Sequence, residues 1–285
     1  MAAVESRKIA VKISYDGSSF FGWQRQKNQV SVQERIEDTL GTIFQRKTVV
    51  HSAGRTDAGV HAIGQVAHFD SPQEFEPLSL AHSLNSMLPP SIRITNAAFV
   101  DADFHSRFSA VSKTYFYIIN NSKILSPFLH NYCCHLPDFH GQEKIASALE
   151  FLKGEHNFER FTTADAVGES PVRRFYSAKL IENGNFIFIA FTASGFLRYL
   201  VRTLVGTLVK IGMEKIPLSD FQIALEGGVT KPLPSTLKMN SAGLYLLKVN
   251  YNTNPFVSEK NAIGADDGYW PFIKEINLCR LSDLE

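Results

Sequence analysis

At 285 residues the chain holds roughly two domains' worth of sequence, taking about 150 residues per domain. Hydrophobic residues make up 44% and charged residues 20%, which excludes disordered, collagen-like and coiled-coil classes. The net charge of +1 hides a gradient: residues 1–120 carry 12 basic and 11 acidic side chains, residues 121–250 carry 14 and 11, and residues 251–285 carry 3 and 6. An acidic end thus offsets a mildly basic body, a pattern that fits a nucleic-acid partner and an ordinary solvated surface equally well.

Residues 8–15 (KIAVKISY) alternate apolar and polar, as a half-buried strand does. A turn-rich stretch follows, and Ser31 then caps a helix, with Glu34 completing a capping box. Val32, Ile36, Leu40 and Ile43 form that helix's apolar stripe. Next come a short strand at 48–53, a glycine-rich loop, a strand at 64–70, and a helix at 79–88 that Pro89-Pro90 ends. Strands at 92–100 and 111–120 complete the first half. In the second half, a helix at 141–153 sets Ile145, Leu149 and Leu152 on one face. Strands at 172–182 and 186–193 are joined at Asn183-Gly184, a hairpin signal. A helix at 196–212, a short one from Ser219 and a strand at 243–251 follow. Strands joined by hairpins as well as by helices predict an α+β fold with a mainly antiparallel sheet. The expected organisation is an N-terminal half at 1–110, a C-terminal half at 111–251 and an extension at 252–285.

No apolar run reaches the about 20 residues of a membrane-spanning helix, and the N-terminus lacks the apolar core of a signal peptide. Three cysteines, two of them adjacent (Cys133 and Cys134) and none in CxxC spacing, predict neither a disulfide framework nor a zinc site. The expectation is a soluble protein of a reducing cytoplasm, without a metal.

Three segments are candidates for chemistry. In AGRTDAGVHA (53–62), Gly54 and Gly59 bracket Arg55, Thr56 and Asp57. Asp57 can act there as nucleophile, base, metal ligand or simple turn residue. In KTYFYIIN (113–120), Lys113, Tyr115 and Tyr117 share one face of a strand, suited either to stacking bases or to filling a core. In GFLRYLVRTLVGTLVKIG (195–212), Arg202 is set among Leu200, Val201, Leu204 and Val205, and a charge so placed calls for a carboxylate partner. Arg198, one turn earlier, reaches solvent or phosphate, or simply snorkels. Two further patterns carry less. Asp101 and Asp103 follow an apolar strand as a phosphatase nucleophile loop does, but lack a paired-acid metal motif. Tyr15-Asp16-Gly17-Ser18 resembles a phosphate-binding turn without the rest of that motif.

Taken together, these motifs resemble the tRNA pseudouridine synthases of the TruA type. The signature loop GRTDAGVHA is accompanied in order by YDGSSFFGWQRQ (15–26), VQERIEDTL (32–40), GQVAHF (64–69), LNSMLPPSIRI (84–94), DFHSRFSA (103–110), KTYFYII (113–119), LKGEHNF (152–158), GFLRYLVRTLVGTL (195–208) and GLYLLKVNY (243–251). The resemblance implies an isomerase that converts uridine to pseudouridine at tRNA positions 38, 39 and 40, in the anticodon stem-loop, without metal or organic cofactor. It implies two similar α/β halves around a mainly antiparallel sheet, a central basic cleft and a homodimer. By matched position, Asp57 is the expected catalytic aspartate and Arg202 its partner. Tyr115 stacks on the target uracil, Arg55 fills the space of the flipped base, and Arg107 contacts phosphate. Ser106 departs from the alanine common in such proteins, and KMNSAGLYL replaces the usual approach to the last strand. The alternative reading is a non-catalytic RNA-binding module of the same fold. Such a module would dispense with Asp57 or Arg202, and both are present.

Overall fold

The computed structural model describes residues 7–72, 75–162, 170–227 and 238–256. All but the first five residues of the acidic extension expected at 252–285 lie outside the described residues. In chain order the elements are β1 (Arg7–Tyr15), α1 (Val32–Phe44), β2 (His51–Ser52), β3 (His61–Ser71), α2 (Pro77–Met87), β4 (Ile92–Phe99), β5 (Ala110–Asn120), β6 (Cys134–His135), α3 (Gln142–Leu149), β7 (Gly154–Asn157), β8 (Val172–Asn183), β9 (Phe186–Ala193), α4 (Leu200–Gly212), α5 (Leu218–Leu225) and β10 (Leu244–Tyr251). They form two compact units. Among the described residues, one unit runs through Val111 and takes in Leu246–Phe256; the other is formed from Ser112–Tyr245. This is the expected α+β class, with mainly antiparallel strands.

In the first unit the strand order is β4-β1-β3-β10, with the short β2 against β3. β1 lies antiparallel to both neighbours, Ile9 facing Phe69 on β3 and Phe99 on β4. Ile9, Ala10, Val11 and Ile13 are wholly buried, as befits a strand paired on both edges. The α1 capping box is formed: Ser31 Oγ accepts from Glu34 N, and the Glu34 carboxylate accepts from Ser31 N. Val32, Ile36 and Leu40 face the core with Phe44, while Ile43 is half-buried. Pro77 opens α2, and the chain leaves it at Leu88 in the extended conformation required before Pro89.

In the second unit the order is β5-β9-β8-β7, with β6 parallel to β5. β8 and β9 form the expected hairpin, closing at Asn183–Phe186 with Gly184 at φ +55°. Helices α3 and α4 approach so closely that a Cβ on Gly141 would stand 2.4 Å from Gly212 Cα. Phe158, Phe161, Phe175, Phe188, Phe191 and Phe221 fill the core.

Several boundaries differ from expectation: the strand expected at 64–70 runs over His61–Ser71, and the helix expected at 79–88 over Pro77–Met87. The strand at 48–53 pairs only at His51–Ser52, and the helix at 141–153 becomes a 3-10 turn after Leu149. The helix expected from residue 196 begins at Leu200, because Tyr199 takes left-handed φ +63° and Leu200 N bonds to Leu197 O at 3.1 Å. Arg198 is therefore in a turn, off the helix face that carries Arg202.

Candidate active site

The loop at 53–60 is the most chemically loaded part of the first unit, and its backbone is pinned nearly residue by residue. Ala53 N donates to Val66 O at 2.7 Å, and the Gly54 carbonyl accepts from Gln65 Nε2 at 2.7 Å and Ser52 Oγ at 3.2 Å. Thr56 O accepts from Trp23 N at 3.0 Å, and Gly59 N donates to Phe20 O at 3.2 Å. Val60 N closes a turn onto Asp57 O at 3.1 Å, with Gly59 at φ +76°, the position where a type II turn calls for glycine. Below the loop, the Tyr15 hydroxyl and Thr56 Oγ1 share a buried 2.8 Å hydrogen bond.

The turn at 15–18, which resembled a phosphate site, belongs to this brace. Asp16 Oδ1 accepts from Ser18 N, and Gly17 N donates to His61 Nδ1 at 3.1 Å. A side chain at Gly17 would collide with the Val60 carbonyl, 2.0 Å from the nearest possible Cβ. Two side chains emerge from the held backbone: Arg55, exposed, and Asp57, half-buried. A carboxylate fixed this way and still open to solvent can attack a carbon electrophile or take a proton.

Arg107 lies on the exposed loop between β4 and β5, its guanidinium 5.6 Å from the Phe108 ring centre. Asp101 and Asp103 are exposed on the same loop. Among the described residues, no group of three or more His, Cys, Asp or Glu side chains is arranged to hold a metal ion, and no helix is long and apolar enough to cross a membrane.

In the second unit, Tyr115 sits mid-strand opposite Phe191 and is 7% exposed, its ring edge-on to Phe196 at 4.9 Å. Tyr117, on the same strand face, is fully buried and donates to Asn240 O at 2.6 Å. Burial, with Cys134 close by, holds its phenol far above the ordinary range, so Tyr117 is a core residue. Arg202 is in the first turn of α4. Its Nε donates to Met239 O at 2.7 Å, and Met239 N returns a 3.2 Å bond to Arg202 O.

A feature that sequence reasoning missed surrounds Tyr199. Lys238, Arg198 and Arg202 stand 4.1, 4.7 and 5.8 Å from its ring centre, and Arg198 Nη2 donates to its hydroxyl at 2.9 Å. Three cations on one ring concentrate positive potential at the start of α4. The available signal was Arg198-Tyr199 beside Arg202, but the left-handed Tyr199 backbone that gathers them leaves no mark in composition. The expected residues thus fall into two sets, Arg55, Asp57 and Arg107 in the first unit and Tyr115 and Arg202 in the second.

Comparison with known proteins gives a consistent result. A family model described as tRNA pseudouridine synthase matches residues 11–109 and 148–252. Proteins named tRNA pseudouridine synthase A from Streptococcus pneumoniae strains Taiwan19F-14, Hungary19A-6 and CGSP14 are each 39% identical over 242 residues, covering 84% of this chain and 96% of theirs. Among solved structures, a chain from the crystal structure of a Cbf5-Nop10-Gar1 complex aligns with TM-score 0.33 and 10% identity, over 83% of this chain and 57% of that one.

Proposed function

This chain belongs to the tRNA pseudouridine synthase family, and from that premise we propose that it isomerises uridine to pseudouridine at positions 38, 39 and 40 of the tRNA anticodon stem-loop. The reaction breaks the N1–C1′ bond, turns the uracil and joins C5 to C1′; the proton lost from C5 is balanced by one gained at N1. No atoms enter or leave and nothing is oxidised, so the chemistry calls for no cosubstrate.

In this reading Asp57 carries the central step, attacking C1′ or assisting a glycal intermediate. Arg202 is its partner, a planar guanidinium fork suited to a carboxylate. Tyr115 stacks on the uracil, and Arg55 occupies the space the base vacates. Extruding a base from a stem costs a few kcal/mol, which a stacking ring and a space-filling side chain offset. Arg107 holds phosphate. The protein acts in the cytoplasm as a homodimer, with the RNA lying in a basic cleft. The observation that carries the proposal is Asp57 itself: a half-exposed carboxylate on a loop whose backbone is bonded at almost every residue. The test is carbodiimide primer extension on tRNA transcripts incubated with the purified protein. Stops at positions 38–40 are expected, and an unmodified transcript overturns the assignment.

A further inference from the structure

Phe108 is 76% exposed, yet the loop that carries it is firmly tied. Lys8 Nζ donates to the carbonyls of Ala102 and Phe104. Ser106 is fully buried; its N–H donates to His68 Nδ1 at 3.1 Å and its Oγ to His51 O at 2.6 Å, and its carbonyl accepts from the Tyr251 hydroxyl at 2.7 Å. Ser109 N donates to His105 O at 2.9 Å, and His105 N donates to Ser109 Oγ at 3.0 Å. His105 Nδ1 accepts from Arg107 N at 3.1 Å and from Phe108 N at 3.4 Å. Leaving a phenylalanine in water forgoes the gain of burying its apolar surface. Here a rigid backbone holds the ring out.

One flank of the ring is supported. The His105 ring lies 4.4 Å from it, tilted by 36°, and His105 rests in turn on His68 at 4.7 Å. Burial, then the neighbouring His51 and Lys8, lowers the His105 imidazole below its ordinary value. The Arg107 guanidinium lies over the Phe108 ring, 5.6 Å from its centre, and the ring is still 76% exposed. Its immediate neighbours in sequence, Arg107 and Ser109, are polar. A largely exposed aromatic ring that carries a cation matches a nucleobase joined to its phosphate.

We infer that Phe108 is a stacking platform for one unpaired base of the bound RNA, with Arg107 meeting the adjoining phosphate. The inference rests on the proposed function and extends it to a contact outside the reacting residues. Binding of labelled tRNA transcript by the full-length protein tests it. Base–aromatic stacking predicts that Phe108→Ala and Phe108→Leu each weaken binding on the order of tenfold, while Phe108→Tyr stays within about twofold of wild type. Phe108→Trp should gain fluorescence, over the wild-type background, that tRNA quenches. Wild-type affinity in Phe108→Ala would overturn the inference. So would recovery in Phe108→Leu, which keeps apolar bulk without a π face. A change in the sedimentation of RNA-free Phe108→Ala would also overturn it, by making the ring a contact between copies. Pseudouridine assay of the wild-type protein separates the two readings. A chain that modifies tRNA but binds equally well without Phe108 sinks this inference alone, and a chain that makes no pseudouridine sinks the proposed reaction.

Discussion

The Tyr15 hydroxyl meets Thr56 Oγ1 at 2.8 Å, both side chains buried, one residue before the aspartate on which the proposed chemistry depends. Burial pushes the Tyr15 phenol up to about 12, so it stays neutral and bonded at any working pH. Tyr15→Phe leaves Thr56 unpaired in the interior and should cost about 1–2 kcal/mol of stability. Because the bond positions a loop and does not bind RNA, the variant should lose kcat with KM nearly unchanged. Steady-state kinetics beside thermal melting will show this; a change in KM alone would mean that the bond does not aim Asp57.

Two glycines should respond to alanine in opposite ways. Gly22 has φ +89°, and a Cβ there would stand 2.4 Å from the Thr56 carbonyl. Left-handed strain alone costs about 1–2 kcal/mol, and the clash falls on backbone of the Asp57 loop. Gly41 lies inside α1, and the nearest obstacle to its Cβ is 3.8 Å away. Gly41→Ala should therefore stabilise by up to about 1 kcal/mol. Denaturant unfolding of the pair decides it, and a stable, active Gly22→Ala would contradict the brace.

His68 sets an acid limit on the first unit. Its Nδ1 accepts from Ser106 N, which requires the neutral ring. Burial, then His105, His51 and Lys8, lowers its pKa from 6.5 to about 4. The unfolded chain therefore binds this proton first. The stabilisation is complete above about pH 6.5 and declines as pH falls toward 4, by on the order of 1–2 kcal/mol after solvent screening. His68→Asn should be less stable near neutrality but lose less between pH 6.5 and 4. Melting curves across that window test the slope, and parallel profiles would refute the assignment.

Asp57→Asn keeps the size of the side chain and removes its capacity to attack or accept a proton. Pseudouridine formation should fall to background while tRNA affinity changes by no more than a few fold. Turnover above background would remove Asp57 from the mechanism.

Arg202→Lys retains charge but loses the planar fork, including the Nε–H that bonds Met239 O. Single-turnover rate should drop by roughly tenfold or more while melting shifts only slightly. A rate within about threefold of wild type would make Arg202 a structural residue that clips the 238–240 segment to its helix.

Local grammar carried much of the architecture. Ser31 with Glu34, the Asn183-Gly184 hairpin and Pro89-Pro90 each act within a few residues, and each marks the boundary it should. Where distant atoms decide, sequence was silent. The run 196–212 has helical periodicity throughout, but Tyr199 adopts a left-handed backbone and delays the helix to Leu200. The same holds for the site. Asp57 was legible as a residue, but its bracing by Tyr15, Gln65 and Trp23 depends on strand pairing and loop approach, and the histidine stack from His68 to His105 joins segments 37 residues apart.

The first unit is not continuous along the chain. Its fourth strand in spatial order, β10, contributes residues from Leu246 onward, about 135 residues after Val111. At ~5–20 residues per second of synthesis, the segment that ends at Val111 waits roughly 7–27 s with the β3 edge lacking its final neighbour. By then the whole of Ser112–Tyr245 has been made, so most of the second unit is synthesised between the two parts of the first. A bare strand edge is a template for pairing with other chains. The nascent protein is most exposed to misassembly in that interval, and a fragment that stops at Val111 would remain in it permanently.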